Sequence, residues 1–160
     1  MIEIVEVTSR QQYRAFFQFP FELYRNCPQW VPPITKEEMD IFDPQKNAVF
    51  EHAMARLFLA KKKGKVVGRI AAMINWVEIE QLKKTKVRFG WYDTIDDLEV
   101  SQKLIEAVES VAIAEGMTYI EGPMGFSNMD KAGLLVHGYE HMNTMITWHH
   151  YPYQKVHLEI

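Results

Sequence analysis

Arg56-Leu57-Phe58-Leu59-Ala60 and Val66-Val67-Gly68-Arg69-Ile70-Ala71-Ala72-Met73-Ile74 flank a lysine-rich turn that contains Gly64. Two apolar runs around such a turn specify an antiparallel hairpin. The turn itself, Lys61-Lys62-Lys63 with Lys65, reads as a solvated tip, with a small anion-binding patch as the alternative. Val87-Arg88-Phe89-Gly90-Trp91-Tyr92, aromatic and β-branched, predicts a further strand. The N-terminus, Ile2–Val7, alternates apolar and polar residues as a half-buried strand does.

Helical signals fill the intervals. Thr8 or Ser9 can cap a helix that carries Tyr13, Phe16 and Phe17 on one side. Pro20 is expected to interrupt it and to start a new turn, Phe21–Arg25. Pro28, Pro32 and Pro33 then force extended backbone around Trp30, and Ile34–Phe42 predicts a short helix. Asp96 and Glu99 have capping-box spacing at the head of the clearest helix. Leu104, Ile105, Val108, Val111 and Ala112 form its apolar face, and Gly116 stops it. Thr118–Glu121 predicts a strand ended by Gly122-Pro123. Met129–Val136 predicts a second helix closed by Gly138, and Met142–Trp148 a late strand. The expected order is β, α, α, β, β, β, α, β, α, β, an α/β (α+β) domain.

One hundred and sixty residues, 48% hydrophobic and 24% charged, suit one continuous core in a single domain spanning 1–160. A formal charge of −3 provides no broad basic surface for nucleic acid. No apolar run approaches the roughly 20 residues that span a bilayer, and the first residues lack a signal-peptide layout. Cys27 is the only cysteine, so no intrachain disulfide forms; a cytoplasmic location is the expectation. Gln154–Ile160 reads either as one more strand or as the opening of a helix in a longer chain. The abrupt apolar Ile160 points to a C-terminal truncation or to a covering partner, and hence to a homodimer or an additional C-terminal domain.

The element order resembles the GNAT N-acetyltransferase superfamily, with its mixed, mostly antiparallel sheet flanked by helices. Leu57–Ile70 looks like that fold's exposed hairpin, and Val87–Glu121 like the strand–helix–strand unit that supports acyl-CoA. Leu134-Leu135-Val136-His137-Gly138-Tyr139 resembles the helix ending in Gly-Phe, with Tyr139 in place of Phe. More narrowly, Phe19-Pro20-Phe21-Glu22-Leu23-Tyr24, Pro28-Gln29-Trp30-Val31-Pro32-Pro33 and Gly122-Pro123-Met124-Gly125-Phe126-Ser127 look like a poorly characterised bacterial GNAT-like group. The resemblance covers nearly the whole chain. It implies an N-acyltransferase that moves an acetyl or other acyl group from CoA to a small-molecule amine, without a metal. It also implies a general base at the splayed end of the central strand, where Asp93 is best placed and Glu121 second. Cofactor contacts would fall to Thr94, Ile95 and Ser101, and to Asn128, which is equally suited to capping the last helix.

The sequence departs from that pattern in two places. The usual Gln/Arg-x-x-Gly-x-Gly/Ala loop, whose amides cradle pyrophosphate at a helix N-terminus, is replaced by Asp93-Thr94-Ile95-Asp96-Asp97-Leu98-Glu99-Val100-Ser101. That stretch has no glycine and no basic residue, and it carries four acids. At about 6 Å each acid costs a phosphate on the order of 1 kcal/mol, so several would weaken CoA roughly 100-fold. The Tyr that protonates the leaving thiolate, four residues before the Gly-Phe glycine, is Leu134 here. An atypical donor site, or a non-catalytic ligand- or domain-binding module, follows.

Other motifs carry less. His137-Gly138-Tyr139-Glu140-His141 spells the inverted zinc-protease pattern, but Gly138 should break the helix that would converge both imidazoles on a metal. His149 and His150 read as surface or hairpin residues. Cys27 reads as a structural or exposed thiol, because no cationic helix start adjoins it.

Overall fold

A computed structural model describes all 160 residues. It has a five-stranded sheet in the order β1–β2–β3–β4–β5, with β1 Ile2–Glu6, β2 Ala53–Lys62, β3 Lys65–Asn75, β4 Lys86–Thr94 and β5 Tyr119–Glu121. The first four strands pair antiparallel, and β4 pairs parallel to β5 through Lys86–Tyr119, Val87–Ile120 and Arg88–Glu121. The helices are α1 Arg10–Leu23, α2 Thr35–Ile41, α3 Trp76–Leu82, α4 Leu98–Ala114 and α5 Pro152–Glu159, with a 3-10 turn at Ala48–Glu51. The architecture is the mixed, mostly antiparallel sheet flanked by helices that the sequence implies.

The two faces of the sheet follow from strand alternation. Phe58, Ala60, Ile70, Ala72, Ile74, Val87 and Phe89 pack against Val100, Leu104, Val108 and Val111 of α4. Leu57, Leu59, Ala71 and Met73 point to the other side, where Phe16, Phe17 and Phe42 cover them. Gly68 lets α4 lie close: a Cβ there would sit 2.8 Å from Val100 Cγ1 and 2.9 Å from Leu104 Cδ1.

One irregularity positions everything that follows. Arg69 pairs with Asp93 and Ala71 with Gly90, so Trp91 and Tyr92 together face the single residue Ile70. This β-bulge has Trp91 at φ +48°, left-handed backbone that a large side chain rarely adopts. Tertiary contacts hold it there. The indole is buried, donates Nε1–H to Glu38 Oε2 at 2.5 Å, and meets the Phe42 ring at 4.6 Å. The extra residue reverses the alternation. Val87 and Phe89 face α4, but beyond the bulge Tyr92 and Thr94 face α4, while Trp91 and Asp93 face α1.

Several local expectations are corrected. Pro20 does not interrupt α1, which runs unbroken to Leu23. A proline has no N–H for the carbonyl four residues back, and that carbonyl, Phe16 O, instead accepts from Arg69 Nη1 at 3.0 Å. The N-cap of α4 is Asp97, which accepts from Glu99 N at 3.1 Å, and not Asp96. The helix expected over Met129–Val136 is absent. Its backbone bonds elsewhere, with Gly133 N on Pro123 O (2.7 Å) and Gly125 N on Lys131 O (3.1 Å), and Gly133 sits at φ +87°. The strand expected at Met142–Trp148 is a turn. Asn143 donates from its backbone N to Gln29 O at 3.0 Å and accepts from Val31 N on Oδ1 at 2.7 Å, which docks it on the proline-rich segment. The helix α3 was not expected, and of the two readings of Gln154–Ile160 the helical one holds, as α5 over Pro152–Glu159. No helix is long and apolar enough to cross a membrane.

Candidate functional site

The two parallel strands part beyond Arg88 and Glu121, where their ladder ends. Close approach of the following chain depends on Gly90 and Gly122. A Cβ on Gly90 would collide with the Met124 carbonyl, and one on Gly122 with the Phe89 carbonyl. On the α4 side of the opening lies a groove of about 570 Å³ between α4, β5 and α5. Phe89, Ile105, Ile120, Leu158 and Ile160 give it an apolar wall, and Glu106, Glu109, Gln102 and His157 add polar groups.

Thr94 and Ser101 meet at the head of this groove, with hydroxyls 3.4 Å apart, and both are fully buried. Their hydrogen-bonding capacity is already in use. Ser101 Oγ accepts from Tyr92 OH at 2.8 Å and lies 2.9 Å from His157 Nδ1, while Thr94 O accepts from Tyr153 OH at 2.7 Å. Ile95 continues the β3 contact by donating to Val67 O at 3.0 Å. Helix α5 therefore lies over the β4–α4 junction. The acids of this loop are also less exposed as charges than the sequence suggests. Lys62, from the hairpin tip, pairs with Asp97 at 2.7 Å and holds its carboxyl below the usual range, and His157 Nε2 lies 3.3 Å from Asp96. Asp93 has turned to the opposite face, which leaves Asp96 and Glu99 as the acids without a lysine or arginine partner.

On that opposite face Asp93 is buried, with Arg69 Nε donating to Oδ2 at 2.7 Å and Tyr24 OH donating to Oδ1 at 2.7 Å. The same Tyr24 oxygen lies 3.1 Å from His149 O and 3.2 Å from Gln154 Oε1. Burial, and then the Asp93 charge, pushes the Tyr24 hydroxyl well above its ordinary pKa, so it stays a donor. Asp93 thus has both oxygens engaged. Glu121 belongs to a different cluster, where it pairs with Lys86 and lies 3.8 Å from Arg88 Nε. The Lys86 hydrogen bond lowers its pKa, which makes it a weak base. Asn128 is part of the same cluster; its Oδ1 accepts from Arg88 Nη2 at 3.0 Å, so it caps no helix and stands apart from Thr94 and Ser101.

The sequence assigned no role to Arg69 or Gln154, offered Tyr24 only as one of several aromatics that could line an acceptor cleft, and placed both late histidines on the surface or in a hairpin. His149 and His150 are 4% and 1% exposed rather than on the surface. Burial pushes His150 down to about 4, and its Nδ1 accepts from Leu135 N at 3.2 Å. Their dipeptide, with Tyr151-Pro152-Tyr153 after it, was visible as a motif. What hid its role was the irregular chain before it, which no periodicity describes. His137 and His141 lie outside any helix, with Gly138 at φ +79° between them.

No family model matches this sequence. It is 32% identical over 151 residues to Protein YghO of Escherichia coli, covering 94% of this chain and 38% of that protein. It is 31% identical over 140 residues to a bacterial ceramide synthase of Caulobacter vibrioides, covering 87% of this chain and 36% of that one. The chain thus spans less than two fifths of the length of these curated relatives. Among solved structures it resembles a tandem GNAT protein from the clavulanic acid biosynthesis pathway, with TM-score 0.58 and 12% identity over 75% of this chain and 35% of that one. It also resembles a predicted acetyltransferase with acetyl-CoA from Clostridium acetobutylicum, with TM-score 0.54 and 12% identity over 76% and 79%. A GNAT-family acetyltransferase from Staphylococcus aureus matches with TM-score 0.53 and 15% identity over 78% and 74%. The bulged β4, the parting of β4 from β5 and these neighbours together establish that the chain has a GNAT-like fold.

Proposed function

We propose that this domain takes an acyl group from an acyl-CoA thioester and transfers it to an amine. The observation that carries the reading is the opening between β4 and β5 beside an apolar groove of about 570 Å³, within a GNAT-like fold. The groove suits an acyl or pantetheine chain better than a polyphosphate, because Glu106 and Glu109 line it and no lysine or arginine does. The relative from Caulobacter vibrioides supports an amine acceptor, since a ceramide is an amide of a long-chain amino alcohol. In this reading the amine attacks the thioester carbonyl directly while strand-end amides polarise it. Ser101 lines the donor groove with Thr94 and Ile95 behind it at the β4–α4 junction, and Asn128, held by Arg88, braces the loop after β5. Asp93 positions Tyr24, and the buried His149, whose pKa burial pulls down, is a neutral base on the same face.

A second reading, a non-catalytic module that binds a ligand or another domain, is favoured by one observation. Tyr153 and His157 of α5 already occupy the β4–α4 junction where a phosphate loop would be.

Calorimetric titration with CoA, acetyl-CoA and palmitoyl-CoA, combined with mass-spectrometric detection of amide from sphinganine, separates the two. Heat with a thioester and amide product support the acyltransferase. Heat without product supports the module, and no heat with any of the three sinks the donor assignment.

A further inference from the structure

The Tyr24–Asp93 network ends on a thiol. Cys27 lies in the turn after α1, where its backbone N donates to Tyr24 O at 2.9 Å, and it is half-buried. Its Sγ is 3.3 Å from His149 Nε2 and 3.6 Å from Gln29 Oε1. The imidazole is 4% exposed, yet its Nδ1 has no hydrogen-bond partner. Packing alone orients the ring, with Tyr24 edge-on at 5.5 Å and Tyr151 at 6.0 Å. Keeping the proton on the enclosed Nδ1 leaves the Nε2 lone pair facing the sulfur. Burial lowers the pKa of His149, and the Asp93 charge opposes that shift, so the ring is neutral near pH 7 and an imidazolium formed on it would feel a carboxylate. A base on the thiol is the arrangement that activates a cysteine; the Asp93 carboxylate is bonded to Arg69 and Tyr24 and not to the imidazole.

We propose that Cys27 and His149 form a nucleophilic pair that carries the acyl group as a thioester between the donor and the amine. The proposal rests on the acyl-CoA reading above and replaces its direct attack by two successive transfers. His149 Nε2 takes the thiol proton as Sγ attacks the acyl carbonyl carbon. The bond from that carbon to the CoA sulfur breaks, and CoA leaves as a thiol with the proton from His149. The amine then attacks the Cys27 thioester, its C–N bond forms as the C–Sγ bond breaks, and its proton passes through His149 to Sγ. One thioester is exchanged for another and then for an amide, with no oxidant or reductant. The thiol adjoins Tyr151 at the N-terminal end of α5 and the groove lies at its C-terminal end, about 12 Å apart for eight residues. The step therefore requires the acyl carbonyl to be presented at the N-terminal end of α5, within contact of Sγ, and the covalent intermediate then lets CoA depart before the acceptor binds.

Two measurements on the 160-residue chain test this. The first is the rate of Cys27 alkylation by iodoacetamide from pH 5 to 9, which involves no CoA. The charged and titratable groups around the pair are Tyr24 of α1, Glu38 of α2, Arg69 of β3, Asp93 of β4, Lys131 of the loop after β5, and His150 and Tyr151 before α5. Wild type should react at pH 7 about tenfold faster than N-acetylcysteine, and His149→Gln at the free-thiol rate. A wild-type profile following one titration near pH 8.5 overturns the pair, even if the variant fails to fold. The second is intact mass after incubation with palmitoyl-CoA and with a short N-acetylcysteamine thioester. An acyl adduct that hydroxylamine removes, absent in Cys27→Ala, supports the relay. Amide formation at the wild-type rate in Cys27→Ala overturns the relay and leaves the acyltransferase reading standing. Fast alkylation and an adduct from the short thioester alone, with no heat from CoA, support the relay and point the failure at the CoA donor instead.

Discussion

Asp93→Asn distinguishes a catalytic carboxylate from a structural ion. The side chains of Arg69 and Asp93 are 6% and 8% exposed, and their contact is 2.7 Å. Asn keeps the shape and one acceptor, but removes the charge and leaves a guanidinium buried with only the Phe16 carbonyl, 3.0 Å away, and the Phe16 ring, 5.0 Å from Arg69 Cζ. An uncompensated charge of this kind costs about 3–5 kcal/mol. With a urea slope near 2 kcal/mol/M, the unfolding midpoint should fall by roughly 1.5–2.5 M. The double variant Arg69→Met/Asp93→Leu should be less destabilised than Asp93→Asn, because it strands no charge. The readout is urea unfolding of the three variants, with amide formation compared on folded protein only. An Asp93→Asn chain that loses under about 1 kcal/mol and yet forms no amide would refute the structural assignment and make Asp93 the base.

Three further outcomes are expected. Leu104, fully buried under Gly68, should cost about 2–5 kcal/mol as Leu104→Ala in urea unfolding, and a loss below this range would contradict the packing of α4 on the sheet. His150 is pushed from 6.5 to about 4, so the unfolded chain binds a proton there that the folded chain refuses. Stability is therefore fully present above about pH 6.5 and should fall by about 2 kcal/mol by pH 5, in the same direction as the lowered His149; a flat midpoint between pH 7 and 5 would contradict this. Finally, Asp96→Asn, which removes a largely exposed charge near the groove mouth, should tighten CoA about fivefold at low salt and less at high salt, read by calorimetry; unchanged affinity would show that the loop acids do not set it.

Much of the frame was legible because its signals are local. The hairpin around Gly64, the strand at Val87–Tyr92 and the helix ending at Gly116 each announce themselves within a dozen residues. The span from Gly122 to Tyr151 did not, because its backbone bonds across irregular loops, Gly133 N to Pro123 O and Asn143 N to Gln29 O, while the Asn143 side chain accepts from Val31 N. Leu134 and Val136 mimic a helix that Gly133 and those long-range bonds defeat. Asp93 stood out by position, but its meaning depends on Arg69 and Tyr24, which lie 24 and 69 residues away in sequence. Pro20 misled for the same reason. Its cost as a helix breaker is real locally, and is offset by an arginine from another strand. Cys27 and His149 are 122 residues apart, so no spacing rule joins them.

The bulge at Trp91 makes the length of β4 matter more than its composition. Because side chains alternate with a period of two, one added or deleted residue would exchange the two sides of the strand beyond that point. Asp93 would then be delivered to Ser101, and Thr94 to Tyr24 and Arg69. Substitutions on one side of this strand end can accumulate without touching the other, so the two surfaces are free to diverge independently, whereas a single-codon insertion or deletion here would turn the domain inside out at its most occupied point.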